Sequence, residues 1–128
     1  MTKLGVGIVA VLVGLAIALV AVPAGIAKDR DVRVRGTCTK SSTSKLKLSE
    51  EDGRIEVEFE VDQNRNGVRW TVVLVQNGKQ LRRVTRVTKA PSGSFEVRVV
   101  APNTSGTDTF AARATSPSSE VCSARASF

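Results

Sequence analysis

Three groups of residues in this chain have the types and spacing for chemistry. Asp62-Gln63-Asn64-Arg65-Asn66-Gly67 matches the first half of a calcium loop, D-x-N-x-N-G. In such a loop, oxygens at alternate positions around a glycine-permitted turn surround a hard cation. The position that needs a bidentate glutamate is Val73, however, and Arg65 puts a cation in the middle. The segment therefore reads as a strand-connecting loop rich in turn formers, with no metal. Glu56, Glu58 and Glu60 recur at alternate positions, and same-face carboxylates on a strand fall at the roughly 5–10 Å that glycoside cleavage uses. Every second residue of a half-buried strand must be polar anyway, and nothing in the sequence supplies a cleft. A cross-strand ladder to Arg or Lys is the expected role. The third group is basic: Lys79, Arg82, Arg83, Arg86 and Lys89 along one strand, with Arg69 beside it. It is an anion-contact patch in character, suited to teichoic acid, lipid headgroups or nucleic acid. No aromatic interleaves it, since Trp70 is expected inside, so a base-stacking platform has no support. The plainer role of that strand is an edge that uses charge to block aggregation.

Several chemistries are excluded by what is missing. There is no histidine and no tyrosine. Catalysis through an imidazole base has no residue to use, and neither has a His-ligated zinc, copper or non-haem iron site. Two cysteines cannot hold a four-thiolate metal cluster. No cofactor is indicated, and the chain reads as a non-enzyme.

The elements that must position these residues begin after Ala27. Leu4 to Val22 is an uninterrupted run of 19 apolar and glycine residues behind Met1-Thr2-Lys3. Pro23, Ala24, Gly25, Ile26 and Ala27 follow, small residues that suit signal peptidase. Cleavage after Ala27 or after Ala24 fits, and the former opens the mature chain on Lys28-Asp29-Arg30. The run is also close to the ~20 residues that span a bilayer, so an uncleaved anchor competes with a cleaved leader. The basic cluster Lys28, Arg30, Arg33 and Arg35 resists translocation, whereas the cysteines favour an oxidising compartment. Either way the remaining domain is expected to face outward.

Residues 28–128 suit a single domain large enough for its own core. They carry 18 of the 19 basic groups and all 12 acids, a balance of +6 without Lys3. That balance favours anionic partners as a class: wall polymers, lipid headgroups, nucleic acid. Abundant Ala, Val, Arg and Gly beside scarce Phe and Met point to a GC-rich bacterial genome.

Alternation of apolar and polar residues dominates this part. Ile55, Val57, Phe59 and Val61 share one face of a strand, opposite Glu56, Glu58 and Glu60. Phe95, Val97 and Val99 repeat the pattern against Glu96 and Arg98. Asn77-Gly78 is the strongest turn, of type I′. It should pair 69–75 with 80–87, setting Val75 opposite Gln80 and Leu74 opposite Leu81, with Trp70, Val72 and Leu74 inward. Ala90-Pro91-Ser92-Gly93 is a second reverse turn. About eight strands are expected, at 31–38, 44–48, 54–61, 68–76, 79–88, 94–100, 107–115 and 121–127. Turn signals every 8–12 residues without a helical period predict an all-β, antiparallel two-sheet sandwich.

The phase of the end strands puts Cys38 with Val32 and Val34, and Cys122 with Ala124 and Ala126. Both thiols then point to the apolar side, as an internal disulfide requires. Closing so long a loop is worth roughly 4–5 kcal/mol, an upper figure.

Trp70 before an Asn-Gly turn, the alternation over 54–61, and Ala90-Pro91-Ser92-Gly93-Ser94-Phe95-Glu96-Val97-Arg98 resemble immunoglobulin-like or fibronectin-III-like sandwiches. With the end cysteines, the chain also resembles small exported proteins of high-GC Gram-positive bacteria. The resemblance implies a fold and no activity. It departs at one point: a complete strand, 54–61, stands between Cys38 and Trp70, so the bridge should join the first and last strands.

The function expected is an exported, non-enzymatic domain acting by surface contact, with an anionic envelope component as its partner. A membrane-anchored accessory subunit of an envelope complex is the alternative, and a secreted inhibitor or small-ligand carrier is the third reading.

Overall fold

The computed structural model describes residues 31–128, together with Gly5, Gly14 and Ala16 as isolated positions. The leader or anchor expected over residues 1–27 falls, as a segment, outside the described residues. The described part is an all-β, sandwich-like fold of nine strands with no helix. The strands are β1 (Val32–Arg35), β2 (Thr37–Cys38), β3 (Thr43–Glu51), β4 (Arg54–Asp62), β5 (Arg69–Gln76), β6 (Lys79–Val87), β7 (Ser94–Ala101), β8 (Thr109–Thr115) and β9 (Val121–Ser127). They form two antiparallel sheets, ordered β1-β3-β4-β7 and β2-β9-β8-β5-β6.

Alternation builds the core between them. Leu46, Leu48, Ile55, Val57, Phe59, Val61, Phe95 and Val97 are buried from the four-stranded sheet. Trp70, Val72, Leu74, Phe110, Ala112, Ala114 and Cys122 are buried from the other. Across the sandwich β3, with the large Leu46 and Leu48, faces β9, with the small Cys122, Ala124 and Ala126. Trp70 packs against Phe95 with ring centroids 5.9 Å apart. Its indole N–H donates to Gln63 Oε1 at 3.1 Å. Gln63, inside the segment with a calcium-loop spelling, thus satisfies a buried tryptophan. The Thr88 hydroxyl donates to the Arg65 carbonyl at 2.6 Å and ties down the same loop.

Three expectations change. The strand expected over 31–38 is two strands, because the chain passes from one sheet to the other at Gly36. A Cβ there would sit 2.2 Å from Ser44 Oγ and 2.6 Å from the Ser123 carbonyl oxygen. Only glycine lets the backbone cross so close to both neighbours. The strand expected over 44–48 runs farther, to Glu51, because its hairpin with β4 stays in register to Arg54.

The third change is in the Asn77-Gly78 hairpin. Both turn residues have positive φ, 48° and 80°, as a type I′ turn needs. Val75 lies opposite Gln80 as expected, but Leu74 lies opposite Arg82, not Leu81. Leu81 is the extra residue of a β-bulge. Leu81 and Val84 are both half-buried against the core, yet three positions apart. A strict alternation cannot turn both inward, and one inserted residue can.

Cys38 and Cys122 are disulfide-bonded. They sit directly opposite one another on β2 and β9, so the bridge joins the first and last strands of the five-stranded sheet. The Cys122 side is fully buried. A buried disulfide suits an oxidising, extracellular-type environment.

Candidate functional site

Each sheet turns one face to solvent, and the two faces differ in charge. On the four-stranded sheet the register brings Arg33, Arg35, Lys45, Lys47, Arg54 and Arg98 to the outer side. Glu51, Glu56, Glu58, Glu60, Asp62 and Glu96 share it, and Asp31 reaches it from just before β1, so six cations meet seven carboxylates. Arg33, Lys45, Lys47 and Arg98 are laced to carboxylates, while Arg35 and Arg54 have no ion pair within 4 Å among the described residues. Lys45 pairs with Glu60 at 3.5 Å, and Lys47 with Glu58 at 3.8 Å. Arg98 reaches Glu51 at 3.1 Å, Glu58 at 3.9 Å and Glu56 in a short charged contact.

This lace sets the titration of its members. The Arg98 guanidinium beside Glu56 holds that carboxyl down at about 2, helped by hydrogen bonds from Glu51 and Glu58. The same crowding pushes Glu51 and Glu58 up, chiefly through their hydrogen bonds to Glu56 and then through burial. Hydrogen bonding to Glu56 raises Arg98. The three strand glutamates considered for glycoside chemistry therefore lie in an ion-pair ladder on an open sheet.

The five-stranded sheet presents a different outer face. The side chains that share it with Val73 follow from the register. Arg83 on β6 and Arg113 on β8 flank Val73 on β5. The next row is Thr85, Thr71 and Thr115, and Arg69 lies beyond it, opposite Val87. Arg125 on β9 stands farther across the same side, opposite Ala111. No carboxylate of β2, β5, β6, β8 or β9 points this way. Among the described residues none of these arginines has an ion-pair partner within 4 Å. An open depression of about 510 Å³ lies here, lined by Arg69, Thr71, Val73, Arg83, Arg113, Thr115, Ser116 and Pro117.

The bulge at Leu81 decides which arginines belong to it. Arg82 and Arg86 pair with Leu74 and Trp70, whose side chains point inward. They therefore leave from the opposite side of the edge strand, and the Arg86 Nη1 donates to the Thr85 carbonyl at 3.2 Å. Lys79 sits at the hairpin tip opposite Gln76. Lys89 lies past the strand, bridged to Ser94. Of the six residues expected to form one basic patch, only Arg69 and Arg83 share this face. Arg113, which sequence reasoning did not include, joins them. Its signal was present in the alternation Phe110-Ala111-Ala112-Arg113-Ala114, but which strand lies beside it is a long-range fact.

Two buried carboxylates hold the surrounding loops. Glu120, 3% exposed, accepts from the Ser42 hydroxyl at 2.6 Å and from the backbone N–H groups of Ser42 and Lys40. Its own N–H donates to Ser116 Oγ, and the Ser116 N–H donates to the Glu120 carbonyl. These bonds fix the turn 116–120 that borders the depression. Asp108, fully buried, accepts from Gln76, Asn77 and both the hydroxyl and the N–H of Thr104. Burial pushes its carboxyl up, but the Thr104, Asn77 and Gln76 hydrogen bonds outweigh burial and hold it below the usual range. Neither carboxylate was singled out from sequence, where an isolated acid in a turn looks like a solvated one.

Cys38, Cys122 and Glu120 bring their ligand-type atoms within 4.8 Å of one another. Both sulfurs are committed to the disulfide. No protein-family model matches the chain, and no curated protein matches it.

Proposed function

We propose that this is an exported, non-enzymatic domain that acts by surface contact, holding an anionic component of the cell envelope on the outer face of its five-stranded sheet. One observation carries the reading: the segregation of charge. Arg33, Lys45, Lys47 and Arg98 on the four-stranded sheet each have a carboxylate within 4 Å, whereas none of Arg69, Arg83 and Arg113 has one among the described residues. Like charges gathered without counter-charges repel one another, and an anionic partner relieves that cost. The disulfide supports an extracellular setting, and the apolar run Leu4–Val22 supports export.

The finer architecture supports an immunoglobulin-like assignment on two counts. The first strand is divided between the sheets, β1 pairing with β3 and β2 with β9. The hairpins β5-β6 and β8-β9 lie together in one sheet, with β8 beside β5. One count departs from it: β3 and β4 form a hairpin in the same sheet, where the antibody-type fold sends its second and third strands to opposite sheets.

The test is cosedimentation of the protein with isolated cell envelopes at low salt. Arg69→Ser, Arg83→Ser and Arg113→Ser together should abolish it, as should raising the salt. Retention of the triple variant on the envelopes would reject the reading. The alternative, an anchored accessory subunit, rests on the length of Leu4–Val22. Intact mass of the exported protein separates the two, since loss of residues 1–27 means release and the full chain in the membrane fraction means an anchor.

A further inference from the structure

The arrangement of the unpaired face says more about its partner than that it is anionic. Arg83 and Arg113 lie two strands apart, about 10 Å at ordinary strand spacing. The threonine row Thr85-Thr71-Thr115 lies two residues farther along, about 7 Å away, and Arg69 two residues beyond that. No hydrogen bond between side chains engages the hydroxyls of these threonines among the described residues, so guanidinium and hydroxyl groups alternate on an open surface. A compact anion would engage the guanidinium groups and leave the threonine row unused. A lipid surface would want apolar side chains to insert, and Val87 is the one large hydrophobic exposed among the described residues. Stacked bases would want aromatic rings, and Trp70, Phe59, Phe95 and Phe110 are buried.

Resting on the reading of this face as an anion-contact surface, we infer that its ligand is an extended phosphodiester polymer whose units carry hydroxyls, a polyol phosphate chain laid across β6, β5 and β8. Its phosphates take Arg83, Arg113 and Arg69 as charge-assisted donors. Its hydroxyls exchange hydrogen bonds with Thr71, Thr85 and Thr115, each of which both donates and accepts. The backbone alternates the same two groups that the face alternates.

The experiment titrates the disulfide-bonded full chain with poly(glycerol phosphate), linear polyphosphate and single-stranded DNA of matched charge, and with orthophosphate. Poly(glycerol phosphate) should bind about tenfold more tightly than polyphosphate, two- to threefold for each hydroxyl. Thr71→Val, Thr85→Val and Thr115→Val together should weaken poly(glycerol phosphate) more than polyphosphate and so erase that margin. The β-branched replacement keeps the strand, and the matching Thr→Ser triple variant should restore the margin, which separates a hydroxyl effect from misfolding. Each arginine removed should weaken both polymers by about fivefold. Equal binding of the two polymers, with silent Val variants, would overturn the polyol assignment and leave the anion-contact function standing. Tighter binding of DNA, or saturation by orthophosphate alone, would overturn it as well. Failure of every polyanion to bind would sink both.

Discussion

On the outer face of the four-stranded sheet, Arg98 contacts Glu51, Glu56 and Glu58. On the outer face of the five-stranded sheet, Arg83 and Arg113 flank a valine and meet no acid. Both faces come from alternating strands, interrupted on β6 by the bulge at Leu81, and both are rich in arginine. The difference lies in neighbours. β4 carries a glutamate at three successive outer positions, and it is a central strand, so every cation on β3 and β7 is brought within reach of one. β5, the corresponding strand of the other sheet, carries Arg69, Thr71, Val73 and Val75 outward, and offers its neighbours no counter-charge. Exposed ion pairs contribute little to stability, so the lace on one face is better understood as neutralising it. The other face is left charged.

The largest effect should come from the scaffold that both faces share. Cys38→Ser with Cys122→Ser should lower stability by up to about 4–5 kcal/mol, measured as the denaturant midpoint, and should cost binding only in proportion to the protein unfolded. A loss of envelope binding in variant protein that remains folded would tie the contact to the bridge instead of to the arginines.

Next comes the contrast itself. The Arg69, Arg83 and Arg113 triple serine variant should lose about a hundredfold in polyanion affinity, at about 1 kcal/mol per arginine, with its thermal midpoint nearly unchanged. The mirror variant on the other face, Lys45→Ser with Lys47→Ser and Arg98→Ser, removes as much charge and should bind as before. Equal losses would show that net charge, not one face, makes the contact.

A smaller effect sharpens the boundary of the face. Arg82→Ser with Arg86→Ser removes two cations of the same edge strand that leave from its other side. Affinity should fall by no more than about twofold, through long-range attraction alone. A loss matching that of Arg83→Ser would mean that the bulge does not hold in the bound state.

The smallest effect concerns pH. Glu56 titrates at about 2 when folded because Arg98 donates to it, against roughly 4.3 in an unfolded chain. A depressed carboxyl stabilises the fold above its unfolded value, and the contribution disappears as pH falls toward its folded one. Asp108, also held down, acts in the same direction. Glu51 and Glu58 are held up and take protons earlier, which relieves crowding first. Stability should therefore hold to about pH 4 and decline from there toward about 2. In Arg98→Ala, the Glu56 carboxyl followed by NMR should return toward the ordinary range. Polyanion binding should show no such dependence across the carboxylate range, because guanidinium groups keep their charge there.

Much of this molecule was legible in order of residues. The cleanest alternation, over 54–61, became β4 with its glutamates in the expected ladder. The Asn77-Gly78 turn and the parity of Cys38 and Cys122 also read correctly, because each is a local property: a period of two, a left-handed turn, a side-chain direction. What could not be read was decided at a distance. The passage of one strand between two sheets depends on Gly36 meeting Ser44 and Ser123. The roles of Glu120 and Asp108 depend on donors that lie 78 and 32 residues away in the chain.

The amino-acid order alone determined that residues beyond the apolar run form an antiparallel sandwich, that its two cysteines face the core, and that histidine-based chemistry is closed to it. These follow from side-chain type and the two-residue period, which need no knowledge of neighbours. The tertiary structure decided which arginines stand together. One bulged residue, Leu81, shifts the phase of the edge strand so that Arg83 turns outward while Arg82 and Arg86 turn away, and sheet order then sets Arg113 two strands from it. A strand's period says which residues share its face, but only pairing says whose charges that face will meet.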